Sequence, residues 1–92
     1  MSSKENWVLK IDPGVFKTLK KLPRKDSERL IFIIEALASN PFSGDIQKLE
    51  GEENVWRRRI GAYRIFYEIY SFEKIILVFR LERRTTKTYK KR

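Results

Sequence analysis

The sequence predicts an α+β domain of order β-α-α-β-β-β, an antiparallel sheet with an N-terminal helical hairpin packed on one face. Three observations lead there. Apolar residues recur at helical spacing between Pro13 and Ser39, three β-rich runs follow Asn54, and the helical and strand signals are segregated along the chain rather than alternating. The 92 residues suit one domain spanning 1–92, which buries roughly 60–65% of its unfolded surface.

The first strand is Asn6 to Ile11, rich in β-formers. Asp12-Pro13 then opens a helix, with Asp12 as N-cap and Pro13 at the first helical position. Val15, Phe16, Leu19 and Leu22 supply its apolar stripe, and Pro23 stops it. A second helix from about Lys25 to Ser39 carries Leu30, Ile33, Ile34 and Leu37 on one stripe and ends at Asn40-Pro41. Both stripes are expected to be core. Phe42 to Asn54 is a polar connection with room for a short strand near Ile46 to Leu49.

The β runs are Val55 to Ile60, Tyr63 to Tyr70 and Lys74 to Leu81. Gly61-Ala62 suits a two-residue II′ loop with glycine first. That loop fixes the register: Ile60 faces Tyr63, Arg59 faces Arg64, Arg58 faces Ile65, Arg57 faces Phe66 and Trp56 faces Tyr67. Side chains alternate along a strand. Arg57, Arg59, Arg64 and Phe66 therefore share one face, while Trp56, Ile60, Tyr63, Ile65 and Tyr67 turn to the helices. Arg58 falls on the helix-covered side and is expected to snorkel out at the sheet margin. Ile75 to Phe79 is continuously apolar, as in a strand covered on both faces.

Composition narrows the chemistry. The chain has no His and no Cys, so it lacks an imidazole acid–base pair, a thiolate nucleophile, a disulfide and an ordinary zinc site. Glu50, Glu52 and Glu53 around Gly51 read as a solvated turn, and neither metal nor cofactor is expected. Met1 to Asn6 is polar and carries both charge signs, unlike a signal peptide. No apolar run approaches the ~20 residues a membrane helix needs. A cytoplasmic protein with no membrane partner is expected.

The formal net charge is +9, and all of the excess lies in residues 55–92. A one-signed field attracts polyanions. Like charges directly opposite on a sheet cost up to roughly 1 kcal/mol, which makes Arg59 against Arg64 a poor choice for folding alone. Arginine binds phosphate bidentately and stays charged, so an anion is the expected compensation. The alternative is that these arginines splay into water. The basic tail adds Arg83, Arg84 and Tyr89. A phenol near an arginine cluster is the acid–base candidate left in a chain without histidine.

Gly61-Ala62-Tyr63-Arg64-Ile65-Phe66-Tyr67 resembles the "G-x-Y-R-[hydrophobic]-x-Y" strand of RelE/ParE toxins. Lys48-Leu49-Glu50-Gly51 is similar to their "K-L-x-G" segment, and Trp56 to Ile60 to their "aromatic-basic-x-basic-hydrophobic" strand. The RelE side of the family implies a toxin of a type II toxin–antitoxin system. It would cut mRNA in the ribosomal A site without metal, by attack of the ribose 2′-hydroxyl on the adjacent phosphate. By matching position, Arg57 and Arg59 would hold the RNA backbone; Phe66, on the same face, and Arg84, in the basic tail, are expected as further RNA contacts. Arg64 would stabilise the transition state, Arg83 would help protonate the leaving oxygen, and Tyr89 would stack on a base and act as general base. An acidic, RelB-like antitoxin is the implied partner, besides mRNA and the ribosome. Two departures stand out: arginines replace the lysines frequent at positions 57 and 59, and only three residues follow Tyr89. The competing readings are a ParE-like gyrase inhibitor, whose branch mostly lacks the set Arg57, Arg59, Arg64, Arg83 and Tyr89, and a non-catalytic nucleic-acid-binding module.

Overall fold

The structure, a computed structural model, describes residues 7–83. Its elements are β1 (Val8–Ile11), α1 (Pro13–Lys20), α2 (Arg24–Ala36), β2 (Ile46–Lys48), β3 (Val55–Ile60), β4 (Tyr63–Tyr70) and β5 (Ile75–Arg83). Asp12 caps α1 as expected, accepting a hydrogen bond from the Gly14 backbone N–H at 3.0 Å, with Pro13 in the first turn. Pro23 ends the inter-helix turn and serves as N-cap of α2, where its missing N–H costs nothing.

Five strands form one sheet in the order β1-β5-β4-β3-β2. The sheet is mixed: β2 to β5 run antiparallel, but β1 pairs parallel with β5, Val8 opposite Ile75. If each helix and strand reverses the direction of its predecessor, an even number of reversals separates β1 from β5, and the two end parallel. The chain still belongs to the expected α+β class.

The β3–β4 register is the one the Gly61-Ala62 loop dictates, from Ile60↔Tyr63 through Arg59↔Arg64 to Trp56↔Tyr67. Gly61 takes a positive φ of 58° and Ala62 does not, as a II′ turn requires. β5 holds a surprise. Between Phe66↔Arg80 and Tyr67↔Val78 the ladder slips by one residue, leaving Phe79 in a bulge. Without it, the parity of Ile76 and Val78 would carry Arg80 into the core and Leu81 out of it. With it, Ile76, Val78 and Leu81 are all buried and Arg80 is exposed.

The core packs Val15, Leu19, Leu30, Ile34 and Leu37 of the helical segment on Ile60, Tyr63, Ile65, Tyr67, Ile69, Ile76, Val78 and Leu81 of the sheet. Phe16 departs from expectation, being 48% exposed, and Leu22 and Ile33 are half-buried at the edge of the core. Among the described residues no helix is long and apolar enough to cross a membrane.

Tyr67 is the largest fully buried side chain, and its hydroxyl donates to the Pro41 carbonyl at 3.1 Å. Burial pushes its phenol up to about 12, with Arg58 pulling slightly the other way. A folded-state pKa above the unfolded value of 10.0 favours the folded protein fully below pH 10. That contribution is lost as pH rises towards 12. Chemical denaturation titrated across this range is expected to show stability falling by at most roughly 2–3 kcal/mol, and Tyr67→Phe should abolish that component. An unchanged alkaline slope in the variant would remove Tyr67 as its cause.

Candidate functional site

Because the helices cover one face of the sheet, the other is open among the described residues, and strand alternation assigns its side chains. β3 contributes Arg57 and Arg59, β4 contributes Arg64, Phe66, Glu68 and Tyr70, and β5 contributes Arg80 and Glu82 through its bulge. Gln47 on β2 and Asp45 just before it continue the pattern. The result is two cross-strand rows near the Gly61 end, Asp45–Arg59–Arg64–Glu82 and Gln47–Arg57–Phe66–Arg80. Two residues along a strand separate them, roughly 6.5–7 Å.

The first row places Arg59 directly opposite Arg64. The chain itself relieves part of that repulsion. Asp45 lies 3.4 Å from Arg59 Nε, and its backbone carbonyl accepts from the Arg59 N–H at 3.0 Å. At the far end Glu82 stands across from Arg64, although its carboxylate engages Arg80 Nη2 at 2.5 Å. Arg64 is thus the arginine of this row without a carboxylate of its own among the described residues. In the second row Arg57 Nη2 donates to Gln47 Oε1, a neutral acceptor that leaves the charge uncompensated. The Nε atoms of Arg57 and Arg64 are buried with no hydrogen-bond partner among the described residues. Charged donors left unmatched in half-buried positions destabilise the free protein, and a polyanion would relieve them.

Asp45 and Gln47 were invisible in the sequence because their placement depends on the β2–β3 register across Leu49–Asn54. Arg80 was hidden by the bulge. Asp45 competes with any anion for Arg59, in an exposed pair whose strength is about 0.2–1 kcal/mol. Asp45→Asn is expected to raise affinity for a single-stranded polynucleotide about 1.5- to 5-fold, read by filter binding at low salt. A lower affinity would show that Asp45 orients Arg59 rather than masks it.

The other expected site residues divide. Arg57, Arg59, Arg64 and Phe66 do come together on the open face. Arg83 does not join them: it is the last residue of β5, opposite Tyr63, and in phase with buried Leu81. Its guanidinium lies 5.7 Å from the centre of the Tyr63 ring, on the helix side. There the Tyr63 hydroxyl donates to Asp26 Oδ2 at 2.6 Å. That bond, and then burial, hold the phenol above its ordinary value, with Arg83 opposing them. Arg84 and Tyr89 lie outside the described residues.

Arg58 points to the helix side as the alternation requires, and its guanidinium packs on Gly44. A Cβ at Gly44 would collide with it, and Gly44 also holds a φ of 88°. Arg58 thus supports the loop that presents Asp45. A depression of about 490 Å³ runs along Lys48–Glu53. Its acidic lining makes it a poor seat for a polyanion, and it contains none of the open-face arginines.

Comparison with known proteins agrees with this architecture. The family model described as "ParE toxin of type II toxin-antitoxin system, parDE" matches residues 9–87. "Putative toxin RelE1" of Methanocaldococcus jannaschii is 34% identical over 79 residues, covering 83% of this chain and 88% of the relative. The archaeal RelE–RelB complex from Pyrococcus horikoshii superposes with a TM-score of 0.76 at 29% identity, covering 88% of this chain and 98% of that one. The isolated RelE toxin of E. coli shares the fold at a TM-score of 0.72 and 19% identity, with 90% of each chain covered. On the matched family model and the 34% identical relative, the chain belongs to the RelE/ParE family of type II toxin–antitoxin toxins.

Proposed function

We propose that this toxin is an endoribonuclease that cuts mRNA in the ribosomal A site by 2′-hydroxyl attack, leaving a 2′,3′-cyclic phosphate and inhibiting translation. The observation that carries this reading is the Arg59–Arg64 pair beside Arg57 on an open sheet face. Phosphoryl transfer is largely positioning and charge stabilisation, both of which fixed guanidinium groups supply. Arg57 and Arg59 hold the RNA backbone, and Arg64, without a carboxylate of its own among the described residues, meets the charge developing on the phosphate. The tail residues Arg84 and Tyr89 complete the set, with Tyr89 as the proton-moving group; Arg83, on the helix side of the sheet beside Tyr63, stands apart from it. A guanidinium mechanism needs neither metal nor cofactor, and a chain without His or Cys offers few ligands for one. Related toxins have been solved as RelE–RelB complexes, which supports an acidic RelB-like antitoxin as the partner here. Action on ribosome-bound mRNA would make this a cytoplasmic toxin.

Primer extension on a translating mRNA, with EDTA present, tests the proposal. Codon-positioned cuts that require ribosomes and disappear on adding the cognate antitoxin are expected. The matched family model favours a second reading, inhibition of DNA gyrase by binding alone. Folded protein that makes no cuts but blocks gyrase supercoiling would establish that reading instead.

A further inference from the structure

Phosphate accounts for the row containing Arg59 and Arg64, but it does not account for Phe66. This ring occupies the open face of β4, half-buried, midway between Arg57 on β3 and Arg80 on β5. Arg80 lies over the ring, 5.7 Å from its centre, and Phe79 tilts against it at 6.4 Å. Glu82 grips Arg80 at 2.5 Å and limits its wandering. The bulge at Phe79 brings this group together, since regular alternation would have sent Arg80 to the helices.

We propose that Phe66 and Arg80 form a stacking subsite for one nucleobase of single-stranded RNA, beside the phosphate-binding pair Arg59–Arg64. The inference rests on the nucleic-acid reading above and gives that surface a second kind of contact. Proteins that hold single strands combine a cationic track for the backbone with π surfaces for the bases. Aromatic rings and guanidinium planes both serve for stacking, and here one lies over the other. The two rows are roughly 6.5–7 Å apart, so a nucleotide can set its phosphate on one and its base on the other. Charge separates their tasks. Glu68 follows Phe66 two residues along the same face, and Glu82 lies beside Arg80. These carboxylates disfavour a phosphate over Phe66 but leave a neutral base unopposed. Stacking of this kind tolerates any base, so the subsite fixes the position of the strand rather than choosing the codon.

The test compares binding of an uncleavable, single-stranded 2′-O-methyl oligoribonucleotide with that of the same backbone carrying abasic residues. The wild-type chain is expected to prefer the base-bearing strand about 5- to 150-fold. Phe66→Leu, which keeps an apolar side chain against Phe79, should erase most of that preference, weakening the base-bearing strand far more than the abasic one. Arg80→Gln should reduce the preference and also weaken the abasic strand slightly. Equal wild-type affinity for the two strands overturns the subsite while leaving backbone binding intact. A preference that survives in both variants overturns it too, since the base is then read elsewhere. No binding of either strand at low salt sinks the nucleic-acid reading itself, and the subsite with it.

Discussion

Arg64→Ala is expected to reduce cleavage of translated mRNA by at least about 100-fold without unfolding the protein. The size follows from its place. Arg64 is half-buried between Arg59 and Glu82, has no carboxylate of its own among the described residues, and keeps a buried Nε without a partner. A preorganised donor aimed at developing charge contributes ~10²–10³ in rate in comparable sites. Removing it costs the fold little, because the substitution also removes a like-charge pair across the ladder. The melting temperature should therefore stay within a few degrees of the wild type, or rise. Cleavage measured at saturating toxin separates the readings. A role in holding the RNA alone would cost affinity and leave the saturated rate nearly unchanged. Loss of that rate with binding largely preserved is the outcome expected of a transition-state group.

Much of this face is legible in the sequence, and the reason is local. Gly61-Ala62 leaves only two residues between strands, so the turn sets the register and the register sets which arginines meet. Asp12-Pro13 likewise fixes where α1 begins, because capping chemistry is local too. What escaped was set by distant contacts or hidden parity. The parallel pairing of β1 with β5 joins segments more than sixty residues apart in sequence, and no turn dictates it. Asp45 and Gln47 reach the arginines through a longer connection, whose Gly51 adopts a φ of 81°. The bulge left one trace. In Ile76-Leu77-Val78-Phe79-Arg80-Leu81 strict alternation buries a guanidinium and exposes a leucine, and inserting one residue at Phe79 cures both faults. The same slip puts Arg83 on the helix-side face with Tyr63 rather than on the face that carries Arg64. Resemblance supplied Arg83 as a site residue by position in the chain, and position in the chain carries no information about a change of face.

Replacing Arg57 and Arg59 together by glutamine should separate binding from chemistry in the opposite sense to Arg64→Ala. Both side chains are on the open face of β3, and each has an acceptor on the β2 side, Gln47 for Arg57 and Asp45 for Arg59. Those contacts orient the guanidinium groups without neutralising the pair, since only one acceptor is charged. If each arginine neutralises one phosphate of a single strand, losing both lowers the salt slope of log K by about 1.4. Affinity near physiological salt should fall roughly 10- to 100-fold, because charge-assisted contacts of this kind contribute more than ordinary hydrogen bonds. Glutamine is shorter and has fewer donors, but it removes the charge while keeping a polar side chain on the strand, so a structural cause would appear instead as a lowered melting temperature. A flattened slope with the melting temperature retained is expected, and cleavage should recover substantially when toxin is raised. If the slope were unchanged, neither arginine would be a phosphate contact, and the one-signed field of residues 55–92 would be attracting a different partner, such as an acidic protein.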